Sequence, residues 1–181
     1  MKNKIIYLLF ISILAVITNS TCAQIYRAAV TDALENNGKE WVEKKLPPSV
    51  ITFSDYSGQL EIKAALSSLF TQKQDSIAAQ SPADTLANFT MTLDKEQVQQ
   101  QITAGKTFTT TGLLNINNIS KKTTAQCLLE PRNNPADGFI ISVVIRFNPG
   151  DYGLKVSGET ENTGLMVRVT RGYLNKQQNN F

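Results

Sequence analysis

Four carboxylates in the second half of the chain, Asp137, Asp151, Glu159 and Glu161, are the residues from which hydrolytic chemistry would have to be built. A carboxylate pair does acid–base work only when its surroundings keep one member protonated and the other ionised. Nothing in the spacing of these four separates the two roles. Each lies beside Gly or Asn, where a turn leaves an acid solvated. Histidine is absent from all 181 residues. That absence removes Ser-His-Asp and Cys-His activation of a nucleophile, and the zinc patterns that use histidine. The segment Gly150-Asp151-Tyr152-Gly153 lacks the Lys and the following helix of a phosphate loop. The residue types therefore imply no catalytic residue, no metal and no cofactor. A binding protein is expected, not an enzyme.

Cysteine chemistry is equally sparse. Residues 1–23 read as a secretory signal peptide. Lys2 and Lys4 give the positive start. Residues 5–17 form an uncharged run of 13, too short for a helix to span a bilayer of ~30 Å, and Thr21-Cys22-Ala23 supplies small residues before Gln24. Asn19-Ser20-Thr21 is not the Leu-rich approach of a lipobox, so cleavage after Ala23 without a lipid is expected. A periplasmic or secreted protein of 158 residues results, enough for a single domain with a real core. Its one remaining cysteine, Cys127, sits in a strand-like run and reads as a small buried apolar side chain. Loss of Lys2 and Lys4 leaves 16 basic residues against 15 acidic. Lys44-Lys45 and Lys121-Lys122 are isolated pairs, so no cationic stripe points to nucleic acid.

The elements that must position any site are mostly strands. In residues 58–69, Leu60, Ile62, Ala64 and Leu66 alternate with polar neighbours, as on a strand with one wet face. Residues 108–116 place Phe108, Thr110, Gly112, Leu114 and Ile116 on one side. Residues 139–147 place Phe139, Ile141, Val143, Ile145 and Phe147 together and are apolar enough for mid-sheet. Asn117-Asn118 can take positive φ and turn residues 108–116 into a strand beginning near Thr123. Further strands are expected at 88–93, about 152–157, and 165–170. Residues 71–87 read as a short helix or loop, with Ser81-Pro82 a good helix start. Residues 94–102 read as a hairpin tip or a helical turn. Residues 24–35 and 38–45 fit either a hairpin turning at Asn36-Asn37-Gly38 or a helix, with Trp41 anchoring the core. Residues 175–181 read as a frayed tail. The polar Gln177 and Asn179 argue against a membrane-spanning barrel.

The stretch Phe108-Thr-Thr-Thr-Gly112-Leu-Leu-Asn-Ile-Asn-Asn118-Ile-Ser-Lys-Lys122 resembles the signature of the YceI-like periplasmic proteins. There a strand ends in a Gly-Leu-Thr-Ile-type segment, followed by a Gly-Val-Thr-Lys-type turn and a returning strand. Residues 139–147, 148–156 and 165–170 are similar to the family's later segments, and residues 34–42 and 58–69 to its earlier ones. The likeness spans about residues 25–174 and is specific over 108–156. Asn118 departs from the family's Gly, and residues 71–87 replace an acidic and aromatic stretch. A diverged or shortened member is implied.

The resemblance implies a mostly β fold: an antiparallel, lipocalin-like β-barrel over residues 24–174, interrupted by a short helix or loop insertion. Its lumen would hold an apolar or amphiphilic small molecule, polyisoprenoid or fatty-acid-like. Leu60, Ile62, Phe108, Leu114, Phe139, Ile141, Val143, Ile145 and Val167 would bind it. An eight-stranded barrel is about wide enough either to fill with side chains or to hold one thin ligand. Small residues at Ala64, Thr110 and Gly112 are expected to leave room. The alternative is a secreted β interaction or stress-response module with a filled core and no ligand. A homodimer is compatible with either.

Overall fold

The computed structural model describes residues 24–36, 41–54, 57–69, 85–133, 138–154 and 164–174. The chain runs β1 (Gln24–Asn36), β2 (Trp41–Leu46), β3 (Val50–Ser54), β4 (Gln59–Ala65), β5 (Leu86–Thr92), α1 (Lys95–Ala104), β6 (Phe108–Ile116), β7 (Ile119–Pro131), β8 (Phe139–Phe147) and β9 (Leu165–Leu174). From β3 to β9 each strand pairs antiparallel with the next. β1 pairs with β3 on one edge and with β9 on the other, which closes the sheet. β2 lies on the same edge of β1 as β3, opposite residues 31–36, while β3 takes residues 24–27. β2 and β3 therefore act as one wall position broken at Pro47-Pro48, and the barrel has eight. Proline cannot donate to a ladder. The break is repaired by two buried hydroxyls: Ser49 N–H donates to Thr31 Oγ1 at 2.8 Å, the Thr31 hydroxyl donates to Ser49 Oγ at 2.9 Å, and Ala28 N–H donates to the Ser49 carbonyl at 3.0 Å.

Alternation does what it should in this wall. Leu60, Ile62 and Ala64 of β4, Ala87, Phe89 and Met91 of β5, and Ile141, Val143 and Ile145 of β8 all point into one buried core. Asn117 and Asn118 take φ of 52° and 63°, the two positive values of the tight turn expected between β6 and β7. A bulge between β8 and β9 puts Arg171 at φ 56° and leaves Gly172 facing inward, where the Ile51 side chain fills the space a Cβ would need. On the outer face, Arg168 of β9 donates from Nε to Asp32 Oδ1 at 2.6 Å and from Nη2 to Asp32 Oδ2 at 3.0 Å, and also approaches Glu43 at 3.4 Å. The hydrogen bond to Asp32 holds the Arg168 guanidinium above its ordinary pKa.

The two barrel ends differ. α1 spans from β5 to β6 at one end and packs on β7. Asp94 caps its start, accepting from Glu96 N–H at 2.8 Å, and Gly105 ends it in the left-handed region at φ 59°. Val98 and Ile102, four residues apart on one helix face, rest on the core. Phe53 and Phe139 meet edge to face beneath that end, 5.7 Å between ring centres. The other end carries the β6–β7 turn and the single 3-10 turns Ser67–Leu69 and Pro149–Tyr152.

Several expectations change. The N-terminal segment is the hairpin β1–β2, in which residues 31–36 of β1 pair antiparallel with residues 41–46 of β2 and Asp32 lies opposite Lys45. Trp41 starts β2 near the barrel rim and is 45% exposed, so it does not anchor the core. Residues 94–102 form a true helix, extended to Ala104. Tyr152 lies in a 3-10 turn that Asn148 caps, and not at the start of a strand. The strand expected over 58–69 stops at Ala65. The signal peptide, residues 71–84, residues 155–157 and the tail fall outside the described residues. Among the described residues no helix is long and apolar enough to cross a membrane.

Candidate functional site

The barrel interior is packed. Eight of the nine residues expected to bind ligand are buried in it: Leu60, Ile62, Leu114, Phe139, Ile141, Val143, Ile145 and Val167. Phe108 is half-buried and packs against the same core. Four of the nine, Ile62, Leu114, Ile145 and Val167, surround one small void of about 10 Å³, room for about one water. Ala64, Ala87, Phe89, Phe147 and Val169 complete its wall. Every wall residue is apolar, and a void of that kind stays dry. The void lies away from α1, toward the turn-bearing end of the barrel. Leu60, Phe108, Phe139, Ile141 and Val143 pack in the remaining interior.

The room expected beside Gly112 is taken. A Cβ built at Gly112 meets Phe89 Cζ, and lies 2.6 Å from Phe89 Cε2 and 2.5 Å from the Thr90 carbonyl oxygen. The glycine lets the Phe89 ring lie over the neighbouring strand. It does not leave a gap.

A second opening lies in the barrel wall itself. β7 has 13 residues and β8 has 9, and their ladder starts at Ala125–Ile145. Residues 119–124 of β7 continue past it, paired with β6. Where β7 and β8 part, a cleft of about 440 Å³ opens. Thr109, Thr124, Gln126, Val144 and Arg146 line its outer part, with Lys122 above them. Lys121, Thr123, Phe147, Asp151 and Tyr152 line its inner part. The 3-10 turn Pro149–Tyr152 tucks Tyr152 into the gap, where its ring meets Phe147 edge to face at 5.6 Å. The Tyr152 hydroxyl is 3.4 Å from Thr123 Oγ1, and the Lys121 ammonium sits 5.9 Å above its ring while pairing with Asp151 at 3.1 Å. Phe147 belongs to both walls: one side faces the cleft and the other the interior void.

The ionisable groups lining the cleft are Lys121, Lys122, Arg146, Asp151 and Tyr152. Asp151 is half-exposed and paired with Lys121, the solvated turn acid expected of it. Asp137, Glu159 and Glu161 lie outside the described residues. Among the described residues no three His, Cys, Asp or Glu side chains gather as metal ligands. Cys127 is buried, its sulfur 3.9 Å from that of Met91, and desolvation pushes its thiol up to about 12. That is the inert, apolar cysteine the strand pattern predicts.

Sequence reasoning missed the cleft because a gap between strands depends on where a ladder stops. It placed Phe147 on the inward stripe without assigning it to a site. Lys121-Lys122, read as solvated loop residues, belong to β7 and the cleft lining.

No protein-family model and no curated protein matches the chain. A solved structure does: a polyisoprenoid-binding domain from Saccharophagus degradans implicated in plant cell wall breakdown. It is 12% identical, superposes with a TM-score of 0.51, and the match covers 82% of this chain and 99% of that one. At this identity the likeness shows the fold. The chain shares that domain's closed antiparallel β-barrel fold.

Proposed function

We propose that the chain is a diverged YceI-like protein, exported to the periplasm or beyond, that binds an apolar or amphiphilic small molecule by its tail. The tail enters through the gap between β7 and β8, displaces Phe147, and lies among Ile62, Leu114, Ile145 and Val167. Deeper insertion brings it to Leu60, Ile141, Val143, Phe108 and Phe139. The carrying observation is the shared wall: one half-buried ring, Phe147, stands between an open cleft and a dry apolar void. Rotating one ring at a barrel rim costs far less than parting a paired ladder, and no β7–β8 pairs form where it stands. The fold supports the reading.

A specific observation favours a second reading. An interior void of about 10 Å³ is what a filled core leaves, and a filled barrel serves as an interaction module without a ligand. Native mass spectrometry of the protein purified from its own cells, together with Nile red titration, separates the two. The binding reading predicts a co-purifying apolar compound or saturable Nile red fluorescence, weakened by Phe147→Trp. Neither signal, with the protein folded, leaves the filled-core reading standing.

A further inference from the structure

The charges around the β7–β8 cleft are uneven. Three cations, Lys121, Lys122 and Arg146, line it against one carboxylate, Asp151, which Lys121 already engages. Lys122 and Arg146 make no ion pair among the described residues, and both are exposed. They rise from adjacent strands on either side of the gap, just beyond the last ladder pair, Ala125–Ile145. Neutral donors, the Thr109 and Thr124 hydroxyls and the Gln126 amide, lie beside them. The apolar side of the same cleft is Val144, Phe147 and the Tyr152 ring, which leads to the interior. Cationic donors at the mouth and a greasy path behind are complementary to one kind of molecule.

We infer that the cleft seats the anionic head, a carboxylate or a phosphate, of an amphiphile whose tail passes Phe147 into the barrel. This rests on the tail-binding reading above and adds the chemistry of the head. Lys122 and Arg146 bind the head by charge. Tyr152, held by Thr123 and Lys121, fills the gap when no ligand is present and turns aside with Phe147 when the tail enters.

The test displaces Nile red with dodecanol, laurate and dodecyl phosphate, each below its micelle concentration. Two exposed ion pairs predict that both anions bind about tenfold tighter than the alcohol at low salt. The preference shrinks as salt is added. Lys122→Glu with Arg146→Glu removes the preference, weakening laurate and dodecyl phosphate about tenfold more than dodecanol. The milder Lys122→Gln with Arg146→Gln lowers the preference in the same sense, should the reversal disturb folding. Equal binding of alcohol and acid by the native protein, or a preference that survives both pairs of substitutions, overturns this inference and leaves tail binding intact. If none of the three chains displaces Nile red, tail binding itself falls and the inference with it. Calorimetry with inorganic phosphate alone is the last arm. Affinity matching that of dodecyl phosphate makes the cleft a free-anion site and overturns the amphiphile assignment.

Discussion

Alanine at position 112 puts a methyl group where the Phe89 ring already lies. The new carbon would stand 2.6 Å from Phe89 Cε2 and 2.5 Å from the Thr90 carbonyl oxygen, both far inside van der Waals contact. Phe89 is 1% exposed, so its ring can yield only by pushing on the core, and the Thr90 oxygen belongs to the β5 backbone. Overpacking of this kind costs about 1–3 kcal/mol. Against it stands the stiffer unfolded chain of alanine, worth about 0.4–1 kcal/mol. Gly112→Ala should therefore destabilise by about 1–2 kcal/mol net. Urea unfolding followed by far-ultraviolet circular dichroism measures it, because exposed Trp41 is a poor reporter of the core. Phe89→Leu removes the ring edge at a cost of its own. In that background Gly112→Ala should cost at least about 1 kcal/mol less, the signature of two residues in direct conflict. A neutral or stabilising Gly112→Ala, or additive single and double variants, would refute the reasoning that this glycine exists to admit the ring.

Cys127 should resist thiol reagents in the folded protein and react on unfolding. Its ionisation moves from 9.0 to about 12 on burial, so above pH 9 the unfolded chain loses a proton that the folded chain keeps. Stability should fall by up to about 1.4 kcal/mol per pH unit between these values, and less steeply in Cys127→Ala, as denaturation at pH 8 and 10.5 will show. Arg168→Met strands Asp32, which is 5% exposed, without its two-pronged partner, and should cost about 2 kcal/mol given that Arg168 itself is one-third exposed. Adding Asp32→Asn should return part of that loss, read from the same urea midpoints. Asn118 holds φ 63°, so Asn118→Val should lower stability by about 1–2 kcal/mol, whereas Asn118→Gly should be neutral or stabilising in a thermal melt.

Local patterns carried much of the fold into the sequence. β6 and β8 coincide with the expected strands because alternation at period two and the flanking turn residues are both local signals. The same holds for Asn117-Asn118, whose short amide side chains tolerate the left-handed region. What failed was non-local. Side-chain type says that Trp41 is apolar, but its place at the barrel rim follows from how far β2 runs along β1. Gly112 was correctly placed on the inward face, yet what covers it arrives from Phe89 on the neighbouring strand. The same limit applies to the interior: a stripe of Ile62, Leu114, Ile145 and Val167 marks a buried face, whereas the volume left among them depends on stagger and on rings across the barrel. The cleft was invisible because it arises from a mismatch in ladder length between β7 and β8, and neither strand alone encodes it.

The direct measurement is isotope-filtered nuclear magnetic resonance of the methyl-labelled protein with unlabelled laurate. The tail-binding account predicts intermolecular contacts from the laurate chain to the methyl groups of Ile62, Leu114 and Val167, with shifts at Phe147 and Tyr152. Contacts confined to the outward-facing Val144, with the interior methyl signals unchanged at saturation, would contradict it.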